Sequence, residues 1–384
     1  MRESPGSAGL LGDIQYTLTA DNMTSRDKVL LYFKFALNQV LRDPLAIPHN
    51  FSRIINLVLL VRRGEKRRVA NEVRLGIPIP DTCVFSVTWR CNLDCRGCYA
   101  KNYGPKKELQ LAEVIKAVNE CSSLGTYIFV IAGGEPLLVN GIVEELSKLK
   151  NAFFLLFSNG TLLDSERVRQ VKKAKNIMPI ISIEGGESAT DDRRGEGVGQ
   201  EIARAMQLMN RSHVPFGFST MLTHLNLREV TQRGWVDQLW RRGARFGFFI
   251  DYIPIEGNLC DDFVLTDEDR AYKEGILLKR KSETRPPIFN LPSDEYAGGG
   301  CKSAGKGFIH INADGYVEPC PFSHYAVDNV RDKPMSEILS SDFFGRLRDR
   351  FATMENPRGE CMLFANRDVV GQIASETRAF CTEG

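Results

Sequence analysis

From residue 83 to residue 253, six short apolar runs alternate with amphipathic segments of about 10 to 16 residues, and no other feature limits the possible folds as much. The runs 83–89, 127–132, 153–158, 178–183, 216–222 and 245–253 are rich in Ile, Val and Phe and read as strands. Segments 109–123, 140–150, 164–175, 199–212 and 228–243 read as the helices between them. Strands spaced in this way pair in parallel through right-handed crossovers. Six repeats fall short of a closed eight-stranded barrel, so an α/β fold is expected, either a partial (β/α)6 TIM-type barrel or a doubly wound sheet. In both, ligands bind at the carboxyl ends of the strands. The loops after each strand are therefore where chemistry belongs.

The pattern stops near residue 285. Arg285-Pro286-Pro287 breaks it, and Gly298-Gly299-Gly300 leads into a hairpin of 308–312 and 316–318 joined by Ala313-Asp314-Gly315, with one helix near 335–350. Residues 25–74 are helical in pattern. The expected division is a basic helical N-terminal extension (1–74), a core (75–285) and a small α+β cap (286–384).

Of the 384 residues, 43% are apolar and 26% charged, which excludes wholesale disorder and fibrous structure. A net charge of +2 offers nothing global to attract nucleic acid, and none is expected as a partner. The charge is uneven, however: residues 1–80 hold 12 basic against 7 acidic side chains, with Arg62, Arg63, Lys66, Arg67 and Arg68 directly following the apolar stretch 54–61. Residues 50–70 fit a peripheral helix on an anionic membrane surface. They fit equally a helix packed on the protein with a solvated basic end. The first 24 residues carry no secretory apolar run and 54–61 is too short to span a bilayer, so a cytoplasmic location is expected, with membrane association left open. In a reducing compartment, clustered cysteines more often bind metal or do redox chemistry than form disulfides.

Of ten cysteines, three lie in one loop after the first strand: Cys91-Asn-Leu-Asp-Cys95-Arg-Gly-Cys98. Zinc sites use paired C-x2-C units or add histidines, and no His occurs between residues 50 and 212. Three thiolates that leave one iron open suit a site-differentiated [4Fe–4S] cluster.

C-x3-C-x2-C after the first strand of a βα-repeat protein resembles the radical S-adenosylmethionine (SAM) superfamily. Further motifs fall at successive strand ends. Gly133-Gly134-Glu135-Pro136 is similar to the family's G-G-E-P turn, which meets the amino group of SAM. Ser158-Asn159-Gly160-Thr161 is similar to T-N-G-T, and Ser182-Ile-Glu184-Gly185 with Asp191-Asp192-Arg193-Arg194-Gly195 is similar to the stretch that lines the ribose and methionine of SAM. The resemblance implies Cys91, Cys95 and Cys98 as cluster ligands. Gly133, Gly134, Glu135, Asn159, Ser182, Glu184 and Arg194 are implied as SAM contacts. Where many members carry an aromatic residue before the third cysteine this chain has Gly97, and Tyr99 is the substitute for packing against adenine.

Cys301, Cys320 and Cys361 follow in the C-terminal part, with Gly315 in the hairpin turn between the first two. This spacing resembles the opening half of SPASM/twitch extensions, closer to the shorter twitch type, and implies one auxiliary iron–sulfur cluster on these three cysteines. Its fourth ligand is Cys381, a non-cysteine residue or the substrate. His310 and His324 are alternatives as ligands. Cys83, Cys121 and Cys260 read as core thiols.

The implied function is reductive cleavage of SAM to a 5′-deoxyadenosyl radical that abstracts hydrogen from substrate, with electrons from a flavodoxin- or ferredoxin-type donor. Substrate is left open among peptide, tetrapyrrole, lipid and other small molecules, and no catalytic acid or base is assigned. Two alternatives stand: a non-catalytic iron–sulfur or zinc protein, and a dithiol oxidoreductase through Cys95 and Cys98, which leaves Cys91 unused.

Overall fold

The computed structural model describes residues 47–101, 103, 107–255, 259–281, 287–297, 300–352, 354 and 360–383. The part of the expected N-terminal helical stretch before residue 47 lies outside them. A long helix α1 (Ile47–Leu75) precedes β1 (Thr82–Ser86), α2 (Leu111–Leu124), β2 (Ile128–Ala132), α3 (Ile142–Lys148), β3 (Phe153–Ser158), α4 (Ser165–Lys173) and β4 (Ile177–Ser182). Then come α5 (Glu187–Arg194), α6 (Val198–Arg211), β5 (Phe216–Leu222), α7 (Leu227–Val230), α8 (Arg233–Arg241), β6 (Ala244–Asp251), α9 (Asp267–Lys281) and β7 (Ile288–Leu291). The C-terminal part contributes α10 (Ser293–Ala297), β8 (Phe308–Ile311), β9 (Val317–Glu318), β10 (Tyr325–Ala326), α11 (Met335–Leu339), α12 (Asp342–Ala352), α13 (Met362–Ala365), α14 (Arg367–Thr377) and β11 (Phe380–Cys381).

Nine strands form one sheet in the order β7-β6-β5-β4-β3-β2-β1-β8-β9, parallel throughout except for the last pair. The ends β7 and β9 do not pair, so the sheet curls into an open, partial barrel, the expected fold class. All six expected strands are present, and the sheet runs beyond them: β7 extends one end and β8 docks on β1, with Cys83 in register with Ile309. The C-terminal hairpin is thus part of the barrel wall. Period-two alternation explains the layering. Val84, Val130, Leu155 and Met178 are matched in register across four strands and border the interior cavity. The intervening Cys83, Phe129 and Phe154 are buried in the main core with Val118 and Cys121 of α2.

Helix α1 closes the amino end of the barrel. Leu57, Leu60 and Val61 are buried against Tyr127, Ile128 and Phe153, at or next to the starts of β2 and β3. Buried Arg53 donates to the carbonyls of Val171 (2.9 Å) and Ile177, satisfying a last-turn carbonyl of α4. Glu65, also buried, takes the Tyr127 hydroxyl (3.0 Å) and Arg68 Nε (3.0 Å). The packed-helix reading therefore describes this face. The other face leaves Phe51, Ile55 and Leu59 exposed beside Arg62, Arg63, Lys66 and Arg67. Among the described residues no helix is long and apolar enough to cross a membrane.

Candidate iron–sulfur and SAM site

Cys91, Cys95 and Cys98 lie in the loop between β1 and α2, and none of them is in a disulfide. The loop is anchored by the turn after β2. Gly134 N–H donates to Thr88 O (2.7 Å) and Glu135 N–H to Arg90 O (2.8 Å). A Cβ on Gly133 would lie 2.4 Å from Thr88 O, and one on Gly134 would lie 2.1 Å from Arg90 O. The glycines are thus required by backbone crossing backbone directly before Cys91, a tighter reason than approach to a ligand.

Glu135 is fully buried and works inside the protein. Its Oε1 accepts from Leu137 N–H (3.0 Å) and Ser158 Oγ (3.0 Å), and its Oε2 from Asn159 N–H (2.8 Å). Burial raises its carboxyl above the usual range against the pull of these donors. The effect is to tie the end of β2 to the end of β3 and to aim Asn159 at the cysteine loop. Asn159 Nδ2 donates to Asn92 Oδ1 (2.9 Å) and to Cys91 Sγ (3.9 Å), while Asn92 Nδ2 reaches Thr161 Oγ1 (2.8 Å). Leu93 N–H also points at Cys91 Sγ (3.4 Å). Burial, then Glu135 and the two neighbouring cysteines, push the Cys91 thiol up to about 11, with Leu93 N–H pulling the other way. Loading metal there must expel protons.

From the fourth strand comes the electropositive part. Glu184 is buried and accepts from Arg193 Nη1 (2.5 Å), Arg194 Nε (2.9 Å) and Arg194 Nη2. Both arginines converge on it, Arg194 being the one expected to contact SAM. Burial raises the Cys95 thiol above its ordinary value, outweighing the opposing pull of Arg194 and Arg193. Ser182 ends β4 in register with Ser219. Asn92 is an addition, and Arg193, which lies inside the quoted motif without being assigned a contact, is another.

Tyr99 does not stand free beside the cysteines. Its ring meets Phe322 edge-on at 6.1 Å and its hydroxyl lies 3.3 Å from Ser86 Oγ; burial pushes the phenol up to about 12. Where a side chain at position 97 would project, Tyr252 and Phe263 already lie, each 3.0 Å from an ideal Cβ.

The second group assembles near the open edge of the barrel. Cys301, Cys320 and Cys361 border one cavity and their thiols are raised, first by burial; Glu295 adds to this at Cys301 (to about 11), Cys301 and Glu295 at Cys361 (to about 12), and the other two cysteines at Cys320. Cys381 sits in an exposed strand paired with Tyr325. Neither histidine offers a nitrogen. His310 is held between Ser86 Oγ (2.8 Å) and Glu318 Oε2 (2.7 Å), and His324 between Pro321 O (2.8 Å) and Glu383. Ser86, His310 and Glu318 form a buried chain from Tyr99 to the strand that leads to Cys320. Cys83 and Cys121 lie in the core, as expected, and Cys260 is half-buried in a loop.

Among the described residues no three His, Cys, Asp or Glu side chains close on a single ion. Three cysteines outside any disulfide and sharing a site are nevertheless a donor set that suits a cluster whose ligands sit on separate irons, and both groups fit that description.

The radical SAM superfamily matches residues 85–232, and the SPASM iron–sulfur cluster-binding domain matches residues 301–362. The AdoMet-dependent heme synthase of Methanosarcina barkeri is 24% identical over 334 residues, 79% of this chain and 93% of its own length. The sporulation killing factor maturation protein SkfB of Bacillus subtilis is 26% identical over 271 residues, 68% of this chain and 65% of its own. Streptococcus suis SuiB bound to S-adenosylmethionine has the same fold, with a TM-score of 0.62 at 13% identity over 84% of this chain and 83% of that one. The chain is a radical SAM enzyme with a SPASM-type C-terminal domain.

Proposed function

We propose that Cys91, Cys95 and Cys98 ligate the [4Fe–4S] cluster, that its open iron takes SAM, and that Cys301, Cys320 and Cys361 hold an auxiliary cluster. Bound there, the reduced cluster supplies the electron that cleaves SAM to methionine and a 5′-deoxyadenosyl radical. The residues of the chain orient and shield. Asn159 and Leu93 N–H donate toward Cys91, Arg193 and Arg194 offset negative charge near Cys95, and Glu184 fixes both guanidiniums. Gly133, Gly134, Glu135, Asn159, Ser182, Glu184 and Arg194 frame the SAM pocket, and Tyr99 borders it on the barrel side. The observation that carries this reading is the convergence of the loops after β1 to β4 around three cysteines.

The division into an extension (1–74), a core (75–285) and a cluster-bearing cap (286–384) belongs to the same proposal. So does reduction by a flavodoxin- or ferredoxin-type donor. Substrates of the relatives, haem precursors and a peptide by their names, are the classes to try first.

Iron analysis tests the two-cluster assignment. Reconstituted protein should hold about eight irons per chain, and Cys301→Ala about four while still cleaving SAM. An unchanged iron content in Cys301→Ala removes the auxiliary site.

Peripheral membrane contact through residues 50–70 is proposed from the exposed face of α1, where Phe51, Ile55 and Leu59 adjoin four exposed cations. Sedimentation with vesicles of anionic phospholipid should be lost on Phe51→Glu with Leu59→Glu, and weakened by salt. Equal sedimentation of both proteins ends the idea.

A further inference from the structure

The interior of the barrel holds a cavity of about 570 Å³ bordered by the second cysteine group. Tyr99, directly after Cys98, and Ala132, directly before Gly133, border it on one side. Cys301, Cys320 and Cys361 border it on another. A molecule filling this space touches the second cysteine group and the residues that adjoin the first in sequence.

Its largest faces are apolar. Val84, Val130, Leu155 and Met178 form an aliphatic band in register across β1 to β4. Facing residues Phe246, Phe248 and Phe289 of β6 and β7 join Phe157 of β3 in an aromatic cluster. Ring centroids are 5.7 Å apart for Phe157 and Phe248, and 5.4 Å for Phe248 and Phe289. The ionisable residues that border the space lie outside these bands. Arg68 is paired with Glu65 and Glu72, and Asp251 with Lys273, while Asp81, Asp294, Glu295, Lys302 and Lys306 border the space as well. A phosphate or sugar placed against the bands would lose its hydration with no replacement donor there. A hydrocarbon surface would gain from leaving water.

Resting on the radical SAM assignment, we propose that this cavity is the substrate site and selects an uncharged, hydrocarbon-rich substrate segment, with the reacting C–H at the Tyr99–Ala132 side. Such a segment belongs either to an acyl or isoprenoid chain or to a tetrapyrrole macrocycle. It does not belong to a nucleotide.

The test uses the full-length, anaerobically reconstituted protein and two fluorescent probes, cis-parinaric acid for a chain and mesoporphyrin dimethyl ester for a macrocycle. At least one should bind at one per chain and resist displacement by GTP, and whichever binds identifies the source. Phe248→Asp places a charge in the aromatic wall and should weaken binding by about tenfold or more, with SAM binding and iron content unchanged. Phe248→Trp, which fills space without adding charge, should do the same, and Phe248→Leu should stay within about threefold. The Trp variant carries the test should the Asp variant fail to fold. Binding of neither probe, or equal binding by all three variants, overturns the proposal. Formation of 5′-deoxyadenosine by the wild type under dithionite separates the failures. If it forms while no probe binds, only the substrate class is wrong; if it does not form, the enzyme assignment itself has failed.

Discussion

Cys95→Ala, reconstituted anaerobically and reduced with dithionite, will form no detectable 5′-deoxyadenosine, where the wild-type chain converts SAM to it. Three ligands are the minimum that leaves one iron open to a cofactor, so losing one removes the site. The expected drop is at least about 10³-fold, as when a group essential to the chemistry is taken away. Cys95 is the sharpest of the three to test. It is the buried thiol of the loop, with Arg194 and Arg193 lowering its proton affinity against the effect of burial. A dithiol oxidoreductase would lose disulfide reduction in the same variant and never release 5′-deoxyadenosine. Turnover retained at more than about a tenth of wild type would place the cluster elsewhere.

Glu184→Ala should be the most destabilising single change near the site. Its carboxylate is buried and is the shared acceptor of two guanidiniums, while its second oxygen accepts from Met221 N–H (3.3 Å). Taking it away leaves buried positive charge without a partner, a loss of about 3–5 kcal/mol. Urea unfolding of the variant should show this as a fall in midpoint, and Glu184→Gln, which keeps an acceptor but no charge, should fall in between. Burial alone would raise the Glu184 carboxyl, but Arg193 and Arg194 outweigh it and hold the group below its ordinary value of 4.5. With a depressed folded value, the stabilisation is complete above the ordinary glutamate range and is lost as pH falls through the folded value. The wild type should therefore lose stability in acid more steeply than Glu184→Gln. A midpoint for Glu184→Ala within about 0.5 kcal/mol of wild type would show that the arginines find other partners.

Much of this arrangement is legible in the sequence because it is local. The apolar runs place β3 and β5 at their observed ends, and the cysteine spacing marks the loop. What is not legible is long-range. Nothing in Phe308–Ile311 says that it pairs with a strand some 225 residues earlier, since a hairpin pattern fixes a strand's face and not its neighbour. Arg193 and Arg194 are adjacent and equivalent in sequence, and only the fold shows both turned onto Glu184. The glycines after β2 read as a ligand turn, yet the atoms that crowd them are those of residues 88–90. His310 follows strand alternation and gives no sign that Ser86 and Glu318 consume both its nitrogens.

The pairing of β8 with β1 also sets an order of events during synthesis. Until the ribosome has released residue 311, the strand that carries the first cysteine loop has hydrogen-bonded company on one side only. An exposed strand edge invites pairing with other chains, and contacts between distant residues form slowly. A polypeptide cut at 285 would keep Cys91, Cys95 and Cys98 and still present that bare edge. The edge of the strand that leads into the cysteine loop is thus covered only once the chain has been made through residue 311.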